Sequence, residues 1–463
     1  MNVLIQSLIK STSRNLKIPE SKLVNWILMS MLIFLIFFNQ NITRGLKDSL
    51  LVSYVGAEII GFVKMFVEIP LGLLFTLIYT KLYNHFTSHK IFIVTVILFI
   101  LYFGCFGFLL FENRNCMELS NEYLESLASL YPRLKWMLVL CKNWVIVLFY
   151  VMSEMWPVII CLFFWQLASN ITSTKEAFTS YPLFSLMGQT SLIVSGFLLN
   201  SIHLPVESLI KILISIVIFN GLLIICLYTL IVSIEVNKSK NLDAVLSLGI
   251  VDSFKLIIKS RYLIMIAVIC MSYHICINLI ESVWFFKVRQ AYPNSEQFIM
   301  YHGYVLYLTG IFTLVLGTFS QKIISKYGWR LGAAMTPIML LITGASFFIS
   351  VLFKKIFSLE SLTVIGGFQN IVGRGTKYAL YDATKEMLYI DLDQELRIKG
   401  KAAVDVAGVK LGRFISVLIQ IMFFTIWPNA TYDTICVPIM IVYVLICIVW
   451  IKAVFKLSKI NFV

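Results

Sequence analysis

Charged side chains stand inside stretches of this sequence that are otherwise apolar. Lys64 and Glu68 interrupt residues 57–80, and Glu154 interrupts 137–168. Arg374 and Lys377 interrupt 361–381, and Asp405, Lys410 and Arg413 interrupt 402–427. Glu281 closes 262–281, with Lys287 and Arg289 just beyond it. An ionised group at the bilayer centre costs at least roughly 2.5–3.5 kcal/mol, so each is by default a functional residue with a partner or a ligand. Lys64 and Glu68 are i, i+4 on one helix face, where they are expected to pair. Arg374 with Lys377, and Lys410 with Arg413, are i, i+3 pairs of like charge. They need acids from other helices or an anion from outside. Glu154, Glu281 and Asp405 are too few for Lys64, Arg374, Lys377, Lys410 and Arg413. Such a surplus suits capture of an anion bearing a chain of phosphates. Arg grips phosphate oxygens in pairs, and Lys acts as a point charge.

Rival chemistries find little support. There is no G-x-x-x-x-G-K-[ST] loop, so no sign of nucleotide hydrolysis. The histidines have no metal-ligand spacing, and the nine cysteines contain no C-x-x-C. Neither a metal nor a cofactor is expected, and no catalytic residues are assigned. Trp156, Trp165, Trp284 and Tyr378 are the aromatic residues that could stack on a base, although most membrane aromatics serve packing or interface anchoring.

The elements that must hold these charges follow from the apolar runs. Of 463 residues, 59% are hydrophobic and only 13% are charged, against roughly 25% charged in soluble domains. A span needs about 20 apolar residues. About twelve such runs occur, near 23–39, 57–80, 91–111, 137–168, 181–200, 209–233, 262–281, 301–320, 332–352, 361–381, 402–427 and 434–455. The fourth is long, as a tilted helix would be. An outer-membrane barrel is excluded, because its strands alternate over about ten residues. Loops on the N-terminal side carry more than twice the Lys and Arg of the opposite loops, where Arg44 and Lys47 are counted. Both termini are therefore expected in the cytoplasm. The net charge of +14 has the same origin, and nucleic acid is not an expected partner.

The expected organisation is all-α and polytopic. A cytoplasmic tail over 1–22 precedes a six-helix bundle over 23–233. A polar, basic cytoplasmic linker over 234–261 leads to a second six-helix bundle over 262–455, and 456–463 form a cytoplasmic tail. Two such halves usually enclose a site near the membrane midplane.

Several segments then resemble one family. Arg44-Gly45-Leu46-Lys47-Asp48-Ser49-Leu50-Leu51-Val52 is similar to the R-x-x-K-D-x-L-x-V stretch of the non-mitochondrial nucleotide transporters. These are the ATP/ADP translocases of plastids, chlamydiae, rickettsiae and microsporidia. Gly56 to Lys64, Glu176-Ala177 with Tyr181-Pro182-Leu183-Phe184, and Asn278-Leu279-Ile280-Glu281-Ser282-Val283-Trp284 continue the resemblance. The densest agreement runs from Gln369-Asn370 through Lys377-Tyr378, Asp382 and Lys385 to Ile390, then Lys399 to Val406. The matches fall in order from about residue 40 to 420. The resemblance assigns substrate-critical positions to Lys64, Glu154, Glu281 and Arg413, the last replacing a lysine in the eleventh span. This chain also has Ala334 where the family commonly has a lysine before Thr336-Pro337.

The resemblance implies a fold similar to the major facilitator architecture and import of ATP in exchange for ADP by alternating access. ATP, ADP and other purine nucleotides are the implied substrates, and membrane lipid the remaining partner of a monomer. The compact length and thin loops look most like microsporidian members, which implies the plasma membrane of an intracellular parasite or, second, a relict mitochondrion. The alternatives are a proton-coupled GTP or NAD symporter, and a non-transporting membrane scaffold or lipid-modifying enzyme. Glu154 is expected to act as counter-charge to the basic residues, and Glu281 to orient the ribose hydroxyls.

Overall fold

The computed structural model describes residues 20–83, 85–172, 174–236, 260–389, 400–401, 403–404 and 408–461. Most of the expected linker, the first 19 residues and Asp405 lie outside the described residues. Among those described there are helices and turns and no strand. This is the expected result for a backbone that must satisfy its own N–H and C=O groups in lipid.

Helix α1 covers Glu20–Leu50 and continues through a π-helical turn, Leu51–Val55. Helix α2 runs Ile59–Val63, widens into a π turn at Lys64–Glu68, and resumes over Ile69–Tyr83. Then come α3 (Ser88–Cys105, with a π turn Phe106–Leu110), α4 (Trp144–Ile171), α5 (Thr174–Ser201) and α6 (Val206–Val236). The second half begins with α7 (Arg261–Ala291). The next helical stretch, Ser295–Leu352, is two spans joined without a loop, α8 (295–327) and α9 (329–352). Gly328 joins them at φ 79°, a conformation that costs a residue with a Cβ and costs glycine little. Helix α10 comprises Leu359–Thr376, a π turn Lys377–Tyr381 and Asp382–Met387. Helices α11 (Val409–Ile426) and α12 (Cys436–Asn461) complete the chain.

Nine helical stretches among the described residues are long and apolar enough to cross a membrane, the 295–352 stretch counted once. Helices α2 and α10, which carry charges, are the others. The twelve-helix reading therefore stands, with two corrections of detail. The first span does not stop near residue 39 but continues to Val55, so Arg44, Lys47 and Asp48 belong to a helix and not to an outer loop. The fourth apolar run is not one tilted helix. It is a short helix, Lys135–Lys142, and α4, broken at Asn143.

Buried tryptophans fix the helices that line the centre. Trp156 of α4 donates to the Ile36 carbonyl of α1 at 3.2 Å. Trp284 of α7 donates to the Thr363 carbonyl of α10 at 3.1 Å. Each bond satisfies an indole N–H that would otherwise be stranded in an apolar interior. Trp156 also packs edge-on against Phe99, and Trp450 of α12 packs against Tyr273 and Tyr381.

The two halves meet most closely between α5 and α8. A Cβ on Gly196 would lie 2.4 Å from the Tyr307 nitrogen, and one on Gly303 would lie 2.8 Å from the Asn200 nitrogen. Only glycine allows this backbone approach, the small-residue device of helix packing in membranes. Between α2 and α11, Phe62 of α2 stacks on Trp136 at 6.2 Å, and Trp136 meets Phe424 of α11 at 5.8 Å. These contacts lie toward the end of the molecule away from the N-terminus, where they join the two halves.

Candidate functional site

Between the halves lies a cavity of about 200 Å³. Its lining comes from both sides. Arg44, Lys47 and Asp48 come from α1, Lys64 from α2, Tyr150 and Glu154 from α4. Tyr273, His274, Asn278 and Glu281 come from α7, Arg374, Lys377 and Tyr378 from α10, and Arg413 from α11. The cavity is smaller than the roughly 300–1,000 Å³ usual for ligand sites. The physical reason is visible in its polar groups, which reach across the space and bind one another.

Glu281 is held between two arginines. It pairs with Arg374 of its own half and lies 3.5 Å from the Arg44 guanidinium of the other half. Lys47, only 3% exposed, lies 2.8 Å from Glu154 and 2.5 Å from Asp48, with its ammonium 3.9 Å over the Tyr150 ring. Lys64 donates to the Asn278 side-chain oxygen at 2.9 Å. Arg413 reaches Glu68 at 4.0 Å. Three of these links, Arg44–Glu281, Lys64–Asn278 and Arg413–Glu68, join one half to the other.

Six cations thus line the cavity among the described residues, Arg44, Lys47, Lys64, Arg374, Lys377 and Arg413, against the three carboxylates Asp48, Glu154 and Glu281. Such a lining attracts a polyanion, and its arginines can hold phosphate oxygens in pairs. Tyr273 and Tyr378 form an aromatic corner with Lys377, whose ammonium lies 4.5 Å from the Tyr378 ring centre. Tyr273 precedes Glu281 by two turns of α7, roughly 12 Å along the helix, and Tyr378 follows Arg374 by one turn of α10.

The structure brings Lys64, Glu154, Glu281, Arg374, Lys377 and Arg413 together around this cavity, as the pattern of intramembrane charge led one to look for. It does not bring Lys410, whose side chain is exposed and outside the lining. Nor do Lys64 and Glu68 pair along α2. The π turn between them widens the helix, and Lys64 instead bonds Asn278 while Glu68 meets Arg413, both on the opposite half. Trp156 and Trp284 are buried packing residues, and Trp165 packs on Phe164 and Tyr181 away from the cavity. Only Tyr378 of the four aromatic candidates lines it. Arg44, Lys47 and Asp48 were missed as site residues because the apolar run ends before them. The signal was present in the spacing, since Arg44 and Asp48 are i, i+4 and continue the helical face of α1.

Comparison with known proteins gives the following. The TLC ATP/ADP transporter family model matches residues 6–461. ADP,ATP carrier protein 5 of Rickettsia bellii (strain RML369-C) is 37% identical over 473 residues, covering 94% of this chain and 94% of that protein. ADP,ATP carrier protein 5 of Rickettsia prowazekii (strain Madrid E) is 35% identical, again with 94% of each chain covered. Among solved structures, a bacterial homologue of the iron transporter ferroportin in an inward-facing state superposes with a TM-score of 0.60 at 15% identity, covering 93% of this chain and 98% of that one. The nucleoside transporter NupG superposes with a TM-score of 0.54 at 11% identity, covering 94% and 99%. These structural likenesses concern the fold.

Proposed function

The chain belongs to the TLC ATP/ADP transporter family, and from that premise we propose that it carries ATP across a membrane in exchange for ADP by alternating access. It is a multi-pass membrane transporter and not an enzyme, and the scaffold and lipid-enzyme readings have no support. The observation that carries the proposal is the central cavity, with six cations against three carboxylates drawn from both halves.

The geometry gives the exchange a physical basis. Arg44, Lys64 and Arg413 are satisfied by Glu281, Asn278 and Glu68 across the midline. Moving the halves apart separates these partners and strands charges in a low-dielectric interior, a costly state. A nucleotide whose phosphates take over Arg44, Lys64 and Arg413 removes that penalty, so the loaded carrier reorients and the empty one does not. In this reading Glu154 and Glu281 are counter-charges that hold the cations until phosphate replaces them. The base rests on Tyr273 and Tyr378, a corner that accepts adenine and other purines alike. One chain supplies both walls, which supports action as a monomer. The membrane of residence in this reading is the plasma membrane of an intracellular parasite, with the relict mitochondrion second, as immunogold labelling of cells would decide.

The test is uptake of labelled ATP into liposomes carrying the purified protein. Saturable uptake that rises when the liposomes are preloaded with ADP is expected. Absence of saturable uptake for every purine nucleotide would overturn the proposal.

A further inference from the structure

A second cavity lies outside the nucleotide site, on the membrane-facing flank of the first half. It has a volume of about 630 Å³ and lies between α2 and α3, with Met152, Met155 and Ile159 of α4 as its floor. Leu74 and Ile78 form one wall, and Val94 and Leu98 the other, all of them exposed. Lys90, at the first turn of α3, is the one charged residue of its lining. From Lys90 to Leu98 the groove follows α3 for roughly 12 Å, most of one leaflet of a hydrocarbon core roughly 30 Å thick.

The segment that supplies both walls carries charge of one sign. Residues 69–111 contain Lys81, Lys90, His85 and His89 and not a single Asp or Glu. Lys90 is exposed and, among the described residues, makes no ion pair. The mouth lies at the end of α2 and α3 shared with the N-terminus, where basic residues concentrate. An apolar channel that runs into a leaflet from an unpaired lysine matches a single amphiphile, with an acyl chain below and an anionic head above.

We infer that this groove is a binding site for one anionic phospholipid, with an acyl chain between α2 and α3 and the headgroup phosphate at Lys90. Its floor residue Met155 adjoins Glu154 of the central cavity in sequence, and Gly72 of α2 also faces Met155. The bound chain therefore wedges α2 against α4, the two helices that hold Lys64 and Glu154.

The test uses the full chain in nanodiscs of phosphatidylcholine containing phosphatidylglycerol with a photoactivatable acyl chain. Native mass spectrometry of the same protein in equimolar phosphatidylglycerol and phosphatidylcholine accompanies it. In the wild type, adducts should concentrate on the groove faces of α2 and α3, and phosphatidylglycerol should be retained in preference. Lys90→Gln should lower that preference about five-fold, the effect of one basic residue near a lipid surface, while adducts stay in the groove. Val94→Trp fills an exposed wall position and should remove the groove adducts. Even labelling around the protein, equal retention of the two lipids by the wild type, or an unchanged preference in Lys90→Gln would overturn the inference. None of these readouts depends on nucleotide transport.

Discussion

Lys64 and Asn278 belong to opposite halves of the transporter, and their side chains are joined by a hydrogen bond of 2.9 Å at the edge of the central cavity. The bond is charge-assisted and shielded from bulk water, so it is worth roughly 1.5–3 kcal/mol. Separation of the halves at this level would break it. Asn278→Asp would convert it into an ion pair and hold the halves in this state. We expect the exchange rate to fall roughly ten-fold at unchanged protein level. An exchange rate equal to wild type would show that the link does not report on reorientation.

Lys64→Gln removes a phosphate ligand from one half, and Arg413→Gln removes one from the other. Each should lose most ATP uptake while the protein still reaches the membrane, as surface labelling checks. Arg413→Lys separates charge from shape. If the guanidinium holds two phosphate oxygens at once, lysine restores only part of the rate. Full activity of both Gln variants would remove these residues from the site.

Glu154→Gln should act in the opposite sense. Lys47 then loses a carboxylate 2.8 Å away, keeps Asp48 at 2.5 Å, and offers more of its charge to phosphate. Nucleotide binding should tighten, and release, hence turnover, should slow. Equilibrium binding and exchange rate measured on the same preparation check both. A variant with unchanged affinity and unchanged rate would leave Glu154 as a structural partner only.

Gly196→Val places side-chain atoms where the backbone of Tyr307 already stands, since even a Cβ would lie 2.4 Å from its nitrogen. Backbone gives little, and overpacking of this kind costs about 1–3 kcal/mol. The strain falls only on the state in which α5 and α8 are closed. The variant should therefore favour opening of that end. Labelling of Phe424→Cys by an impermeant maleimide, over the background of the parent chain, should rise. No change in labelling would mean that this contact does not gate the cavity.

Tyr378→Ala removes half of the aromatic corner and should raise the KM for ATP about five-fold or more, in line with at least roughly 1 kcal/mol for a stacked base. Trp284→Phe should instead lower thermal stability and leave KM unchanged, because its indole bonds the Thr363 carbonyl away from the cavity. The reverse pattern would exchange their roles.

The fold was largely legible in the sequence because hydrocarbon imposes one requirement on every span, an apolar run of sufficient length. The same logic misplaced the charged end of α1. Arg44, Lys47 and Asp48 look like the start of a loop when polarity is read along the chain, and they are tolerated in a helix only because Glu154 and Glu281 arrive from α4 and α7. Partners that come from distant segments are invisible to local spacing. The π turn at Lys64 shows the same limit in a smaller compass, since i, i+4 pairing presumes 3.6 residues per turn. Lys410 failed for a simpler reason. A helix of this length has an outer face, and nothing in a single sequence orients α11 toward the centre or the lipid.

The surplus of cations over carboxylates in the cavity lining also has an electrical consequence. With Glu68 on Arg413 and Asp382 on Lys377 counted, one positive charge is left unbalanced, the same in either direction, while ATP, with about four negative charges, exceeds ADP, with about three, by one. The ATP-loaded carrier then crosses the membrane field with one more negative charge than the ADP-loaded carrier. A potential of about 100 mV, negative inside, acts on that charge with about 2.3 kcal/mol. Inward movement of ATP would be opposed, and a current would accompany each exchange. The membrane voltage, and not nucleotide concentration alone, would set how far the exchange runs.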